Sequence, residues 1–142
     1  MISKKSETRI VLDTNIWISF TIGKRLKLLS DLLLSKKLVV YFSNEIIEEY
    51  KQVISRKKFA KYITQKNIED TLELIHNDCI KHSITTKIYL SRDVNDNFLL
   101  ALSKEVGANY LITGDNDLLT LKKFEKTHII TFSEFMNTEL NK

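Results

Sequence analysis

Short runs of β-branched and aliphatic residues alternate along this chain with longer stretches whose apolar residues recur at helical spacing. That alternation restricts the possible folds more than any other feature. The first run, R-I-V-L-D from Arg9 to Asp13, reads as a buried strand. From Arg25 to Ser35, Leu26, Leu29, Leu32 and Leu33 return at helical intervals, and Leu38 to Phe42 (L-V-V-Y-F) is again strand-like. A helix follows in which Ser43 or Asn44 can act as cap and Ile46, Ile47, Tyr50, Val53 and Ile54 form one apolar stripe. The spacing predicts another helix over Asn67 to His82, with Ile68, Leu72, Ile75 and Cys79 facing inward, and then a strand over Ile84 to Tyr89. Phe98, Leu99, Leu102 and Val106 predict a helix over Asn95 to Val106, ended by Gly107 in the left-handed region. Tyr110 to Thr113 and His128 to Thr131 complete the strands, and Ser133 is the predicted cap of a last short helix. Strands and helices in this order build βαβ units. The expectation is an α/β fold, a three-layer α/β/α sandwich with a mostly parallel sheet of about five strands. Such sheets bind ligands beyond the carboxyl ends of their strands.

The chain is long enough for one core: 142 residues with 43% hydrophobic content predict a single domain over 1–142. Proline is absent and glycine appears 3 times, so no linker or low-complexity tail is visible. No apolar run approaches the ~18 residues that cross a bilayer. The opening Met1-Ile2-Ser3-Lys4-Lys5-Ser6 leads into no signal segment, so a cytoplasmic location is expected. Cys79 is the only cysteine and reads as a buried thiol, which excludes an internal disulfide and a cysteine-based zinc site. His76, His82 and His128 are scattered without companion ligands, and Trp17 reads as packing rather than as a base-stacking ring. The net charge of +4 suits a polyanionic partner without requiring one. Basic residues recur in short groups: Lys24, Arg25 and Lys27; Arg56, Lys57, Lys58 and Lys61; Lys122, Lys123 and Lys126. Solvated helix faces are the ordinary explanation of such runs.

The acids are placed less randomly. Asp13 stands at the exit of the first strand in V-L-D-T-N, and Asp115 follows a later strand in L-I-T-G-D. If those strands are neighbours, the two carboxylates approach in one crevice, where a hard divalent cation such as Mg²⁺ or Mn²⁺ would offset their repulsion. In N-E-I-I-E-E-Y, Glu45 and Glu49 share a helix face while Glu48 is rotated away, and Glu49 is the preferred third acid. In R-D-V-N-D-N-F-L-L-A-L, Asp96 precedes the apolar stripe and should face the crevice, whereas Asp93 reads as an N-terminal cap. Asp117, in G-D-N-D-L-L, is a further candidate ligand. Each acid alone is more simply a cap or a solvated charge, but the ordered set, each at an element boundary, is not readily assigned to chance.

The phrases V-L-D-T-N, E-E-Y-K-Q-V-I, R-D-V-N-D-N-F-L-L-A-L and A-N-Y-L-I-T-G-D-N-D-L-L resemble the successive motifs of PIN-domain proteins, from about Arg9 to Phe135. The resemblance implies a PIN-like sandwich in which Asp13, Glu49, Asp96 and Asp115 gather around Mg²⁺ or Mn²⁺. It implies that Thr14, Asn15 and Thr113 orient the acids, and that Asp117 aids the metal site. It further implies a metal-dependent ribonuclease of the VapC-like kind, a toxin held inactive by a cognate antitoxin protein, with an RNA substrate and a homodimeric assembly. Two other readings compete. A haloacid-dehalogenase-like phosphatase also places an aspartate after its first strand, but Asn15 stands where that chemistry needs a general acid. A non-catalytic module would keep the fold and bind RNA or protein without cutting.

Overall fold

A computed structural model of the chain describes residues 7–23, 25–35, 38–88 and 94–139. Lys24, Tyr89 and Asp93 lie outside them. The elements are β1 (Thr8–Leu12), α1 (Thr14–Gly23), α2 (Leu26–Ser35), β2 (Leu38–Phe42), α3 (Asn44–Ile54), a 3₁₀ turn (Lys57–Phe59), α4 (Gln65–Asp78), β3 (Ile80–Lys81), α5 (Val94–Val106), β4 (Tyr110–Ile112), α6 (Asn116–Leu121), β5 (Lys123–Phe124), β6 (Thr127–Ile130) and α7 (Phe132–Glu139). No helix among the described residues is long and apolar enough to cross a membrane.

The sheet has six strands in the order β3-β2-β1-β4-β6-β5. All neighbours run parallel except β5, which is antiparallel to β6. Ile10, Val11 and Leu12 of the central β1 are all buried, as a parallel strand covered on both faces requires. The chain moves outward from β1 through β2 to β3, then returns across the sheet to β4 and β6. Right-handed crossovers therefore put the helices between β1 and β3 on one face and α5 on the other. The reversal falls between β1 and β4, which pair in the register Ile10 to Tyr110, Val11 to Leu111 and Leu12 to Ile112. The two strands whose exits carry Asp13 and Thr113 are thus adjacent at the switch point of the sheet.

The structure departs from the sequence reading at its short elements. The sheet gains β3 and β5, each two residues long, so it has six strands rather than about five. α4 starts and stops earlier than Asn67 to His82, because Thr64 caps it by accepting from the Asn67 N–H and because Cys79 already has extended backbone. The strand consequently falls at Ile80–Lys81, and residues 82–88 are irregular rather than the strand expected from Ile84 to Tyr89. The Glu105 carboxylate of α5 holds that stretch. It accepts from the Thr85 N–H at 3.0 Å, from the Thr86 N–H and from His82 Nε2 at 2.8 Å. Ser133 is not the cap of α7. Thr131 Oγ1 accepts from the Glu134 N–H at 3.1 Å while Glu134 returns an oxygen to the Thr131 N–H at 2.9 Å, a reciprocal capping box. Gly107 does end α5 with φ of +64°. Cys79 is buried, and burial first, with the charge of Asp78 second, pushes its thiol up to about 12, so it is inert.

Candidate active site

Asp13 is the hinge between β1 and α1. Its N–H donates to the Ile112 carbonyl at 3.0 Å, extending the ladder to β4. Its own carbonyl accepts from the Ile16 N–H at 2.9 Å and so opens α1. The backbone is fixed from both sides, which leaves the carboxylate at the strand exit, 6% exposed. Asp13 Oδ2 accepts from Thr113 Oγ1 at 2.7 Å, and that same hydroxyl oxygen accepts from the Asp115 N–H at 2.9 Å. One buried threonine thus links the exits of β1 and β4.

Glu49 arrives from α3, which Ser43 caps through a 3.4 Å bond from the Ile46 N–H, and its Oε1 accepts from Thr14 Oγ1 at 2.6 Å. The preference for Glu49 over Glu45 therefore has a geometric basis: Glu49 reaches the residue next to Asp13. Glu45 and Glu48 instead line, with Asn44, Glu49, Gln52 and Phe98, an open groove of about 510 Å³ along α3. Phe98 and Gln52 of this groove are not acids, and the sequence does not mark either as a site residue. Phe98 carried a signal only as one member of an apolar stripe, and Gln52 carried none.

The electrostatics follow from this crowding. Burial raises the Asp13 carboxyl above its ordinary range, and the charges of Glu49 and Asp115 raise it further, against the lowering effect of hydrogen bonds from Thr113 and the Asn15 backbone. Asp115 also caps α6, accepting from the Asp117 N–H at 2.9 Å. Asp96 is buried in the first turn of α5, the helix packed on β1 and β4. The Asp117 and Asn15 side chains are exposed, and Asn15 contributes through its backbone.

Among the described residues, no three histidine, cysteine, aspartate or glutamate side chains are already arranged to hold a metal ion. Thr14 and Thr113 each donate to one of the acids, Glu49 and Asp13 respectively. The donor set nevertheless suits a hard cation. Mg²⁺ is ordinarily bound through one or two carboxylates, with waters and substrate phosphates completing its shell. A buried carboxyl raised by its acidic neighbours is where a divalent charge would be most stabilising.

Residues 9–117 match the family model described as the PIN domain. Over 127 residues the chain is 32% identical to an uncharacterized protein of Methanocaldococcus jannaschii, covering 87% of this chain and 81% of that one. Its fold is similar to that of VapBC2 from Rickettsia felis, solved bound to a DNA fragment from their promoter, with a TM-score of 0.57 at 15% identity over 86% of this chain and 97% of that chain. The family match takes in the strand exits that carry Asp13 and Asp115 and extends over most of the sequence: the chain belongs to the PIN-domain family.

Proposed function

We propose that this protein is a divalent-metal-dependent ribonuclease that hydrolyses RNA phosphodiester bonds and is the toxin member of a toxin–antitoxin pair. The observation that carries the reading is the buried Asp13 carboxylate at the sheet's switch point, within electrostatic reach of Glu49 and Asp115. Asp13, Asp96 and Asp115 would hold Mg²⁺ or Mn²⁺, with Glu49 bound directly or through water and Asp117 assisting. When bound, such an ion supplies electrophilic assistance to the phosphodiester and favours ionisation of a water. The protein's own part is positioning. Thr113 helps to fix the rotamer of Asp13, and Thr14 helps to fix Glu49. No side-chain nucleophile is required, and the expected products carry a 5′ phosphate. The similarity of fold to VapBC2, captured on DNA from their promoter, supports the antitoxin part of the proposal.

The test is incubation of the purified chain with mixed RNAs in Mn²⁺ or in chelator, beside Asp13→Asn. Cleavage by the unaltered protein in Mn²⁺ alone is expected, with activity reduced at least ~100-fold in the variant. Cleavage that survives the substitution or the chelator would overturn the assignment. A phosphorylated Asp13 trapped during turnover would instead favour a phosphatase.

A further inference from the structure

Between Glu49 and Glu69 the chain contains no acidic residue but carries six cations; Lys66 pairs with Asp70 at 3.4 Å, and the other five, Lys51, Arg56, Lys57, Lys58 and Lys61, all precede Tyr62. These five cations exceed the whole chain's net charge of +4, so the rest of the molecule is slightly acidic. All five are exposed, and none forms an ion pair with a described residue. Such crowding of like charge with no anionic partner among the described residues favours an external polyanion.

The segment is nonetheless built. Successive tight bonds shape it, from the Phe59 N–H to the Arg56 carbonyl at 3.0 Å, from Ala60 to Lys57 at 3.1 Å and from Tyr62 to Phe59 at 3.0 Å. Phe59 is packed against the core and anchors the turn. Tyr62 is left 56% exposed, which is unusual for a large ring. Lys58 Nζ lies 5.1 Å from the Phe59 ring centre and Lys61 Nζ 6.0 Å from that of Tyr62, so cations and an accessible aromatic face are presented together.

We infer that this segment, from Lys51 to Tyr62, is a binding surface for single-stranded nucleic acid, with the cations on phosphates and Tyr62 stacked on an unpaired base. Cationic side chains interleaved with an exposed ring are the recognition chemistry of unstacked strands. A duplex offers phosphates but hides its base faces. The position links the surface to the acidic crevice. Glu49 lies in α3, which carries Lys51 and ends at Ile54 about 8 Å farther along the helix axis, and the 3₁₀ turn Lys57–Phe59 follows after Ser55 and Arg56. The groove along α3 that includes Glu49 also includes Gln52, four residues before Arg56 in the chain. A strand lying with one phosphate at the acids would meet the cations a few nucleotides away. The choice of RNA as the polymer rests on the ribonuclease reading; the surface itself does not.

The test uses the full chain in chelator, where no cleavage is expected, and a fluorescein-labelled, unstructured RNA of about 15 nucleotides, followed by anisotropy across a salt series. The combined Lys57→Ala, Lys58→Ala, Lys61→Ala variant should bind at least ~10-fold more weakly, with a salt slope reduced by about 2. Tyr62→Ala should weaken binding about tenfold with the slope unchanged. Duplex RNA of the same length should compete poorly. These residues are exposed, so circular dichroism should match the unaltered protein. Unchanged affinity and slope in the triple variant would overturn the inference, as would association with phosphatidylserine vesicles in preference to the RNA. Loss of cleavage in Asp13→Asn with unaltered anisotropy in the triple variant would sink this surface and leave the nuclease reading standing. The converse pattern would do the reverse.

Discussion

Asp13 and Glu105 are both acids shielded from solvent, and their surroundings push them in opposite directions. The folded protein holds the Asp13 carboxyl above its ordinary value of 3.8, chiefly through burial and then through Glu49 and Asp115. Between 3.8 and that raised value the folded state binds more protons than the unfolded chain. In the absence of metal, stability therefore falls as pH rises through the window. Asp13→Asn keeps an acceptor for Thr113 and removes the charge. It is expected to stabilise the metal-free protein at neutral pH, seen as a higher urea midpoint, while reducing cleavage at least ~100-fold. A variant that is both inactive and strongly destabilised would point to a structural role instead. For Glu105, burial alone would raise the pKa, but hydrogen bonds from Thr86, His82 and the Thr85 backbone outweigh it and lower the pKa from 4.5 to about 2. Here the unfolded state binds more protons, so stability is lost as pH falls from 4.5 toward about 2. Glu105→Gln should flatten that acid limb when urea midpoints are compared across pH. The identity of the acids at the strand exits was legible in the sequence because strand ends and caps have local signatures. Nothing local marked Glu105, whose acceptors are filled by residues about twenty positions away.

At the scale of elements, a buried hydroxyl network joins three helices. Thr21 Oγ1 of α1 lies 2.7 Å from the Tyr50 hydroxyl of α3 and 2.8 Å from Thr71 Oγ1 of α4. Burial raises the Tyr50 phenol, with the bonds to Thr21 and Thr71 opposing, so it stays a neutral donor and acceptor. Tyr50 sits one residue after Glu49, and the network thereby helps to set the rotation of α3 that aims Glu49 at Thr14. Thr21→Val removes the shared hydroxyl and leaves the others buried with fewer partners. A loss of about 2 kcal/mol in urea unfolding is expected, and Tyr50→Phe should cost about 1 kcal/mol. Little change in either would mean that water replaces the missing partner. The helices α2, α3, α4 and α5 were readable from their apolar spacing. α1 was not, because its T-N-I-W-I-S-F-T-I-G is apolar around much of its circumference and shows little helical periodicity. β3 and β5 escaped for a different reason: two-residue strands exist only through the neighbours that complete their ladders.

At the scale of the whole molecule, the site and the fold are thermodynamically linked. A cation that binds the acids of the folded protein, and has little affinity for the unfolded chain, must raise its stability. Mn²⁺ at about 100 times its dissociation constant should add roughly 3 kcal/mol, seen as a concentration-dependent rise in the thermal midpoint. Chelator should reverse the rise, and Asp115→Asn or Asp13→Asn should abolish it. An equal rise in those variants would place the ion elsewhere. The sequence by itself determined the types of most of the longer elements, the parallel character of the sheet and which acids stand at element boundaries, because periodicity, caps and strand exits are properties of neighbouring residues. Only the tertiary structure decided that β1 lies beside β4, that one threonine couples Asp13 to Asp115, and that Glu49 rather than Glu45 reaches Thr14. Those facts depend on strand order and helix rotation. Both are set by how every apolar face of the chain is buried at once, and no local stretch of sequence encodes that.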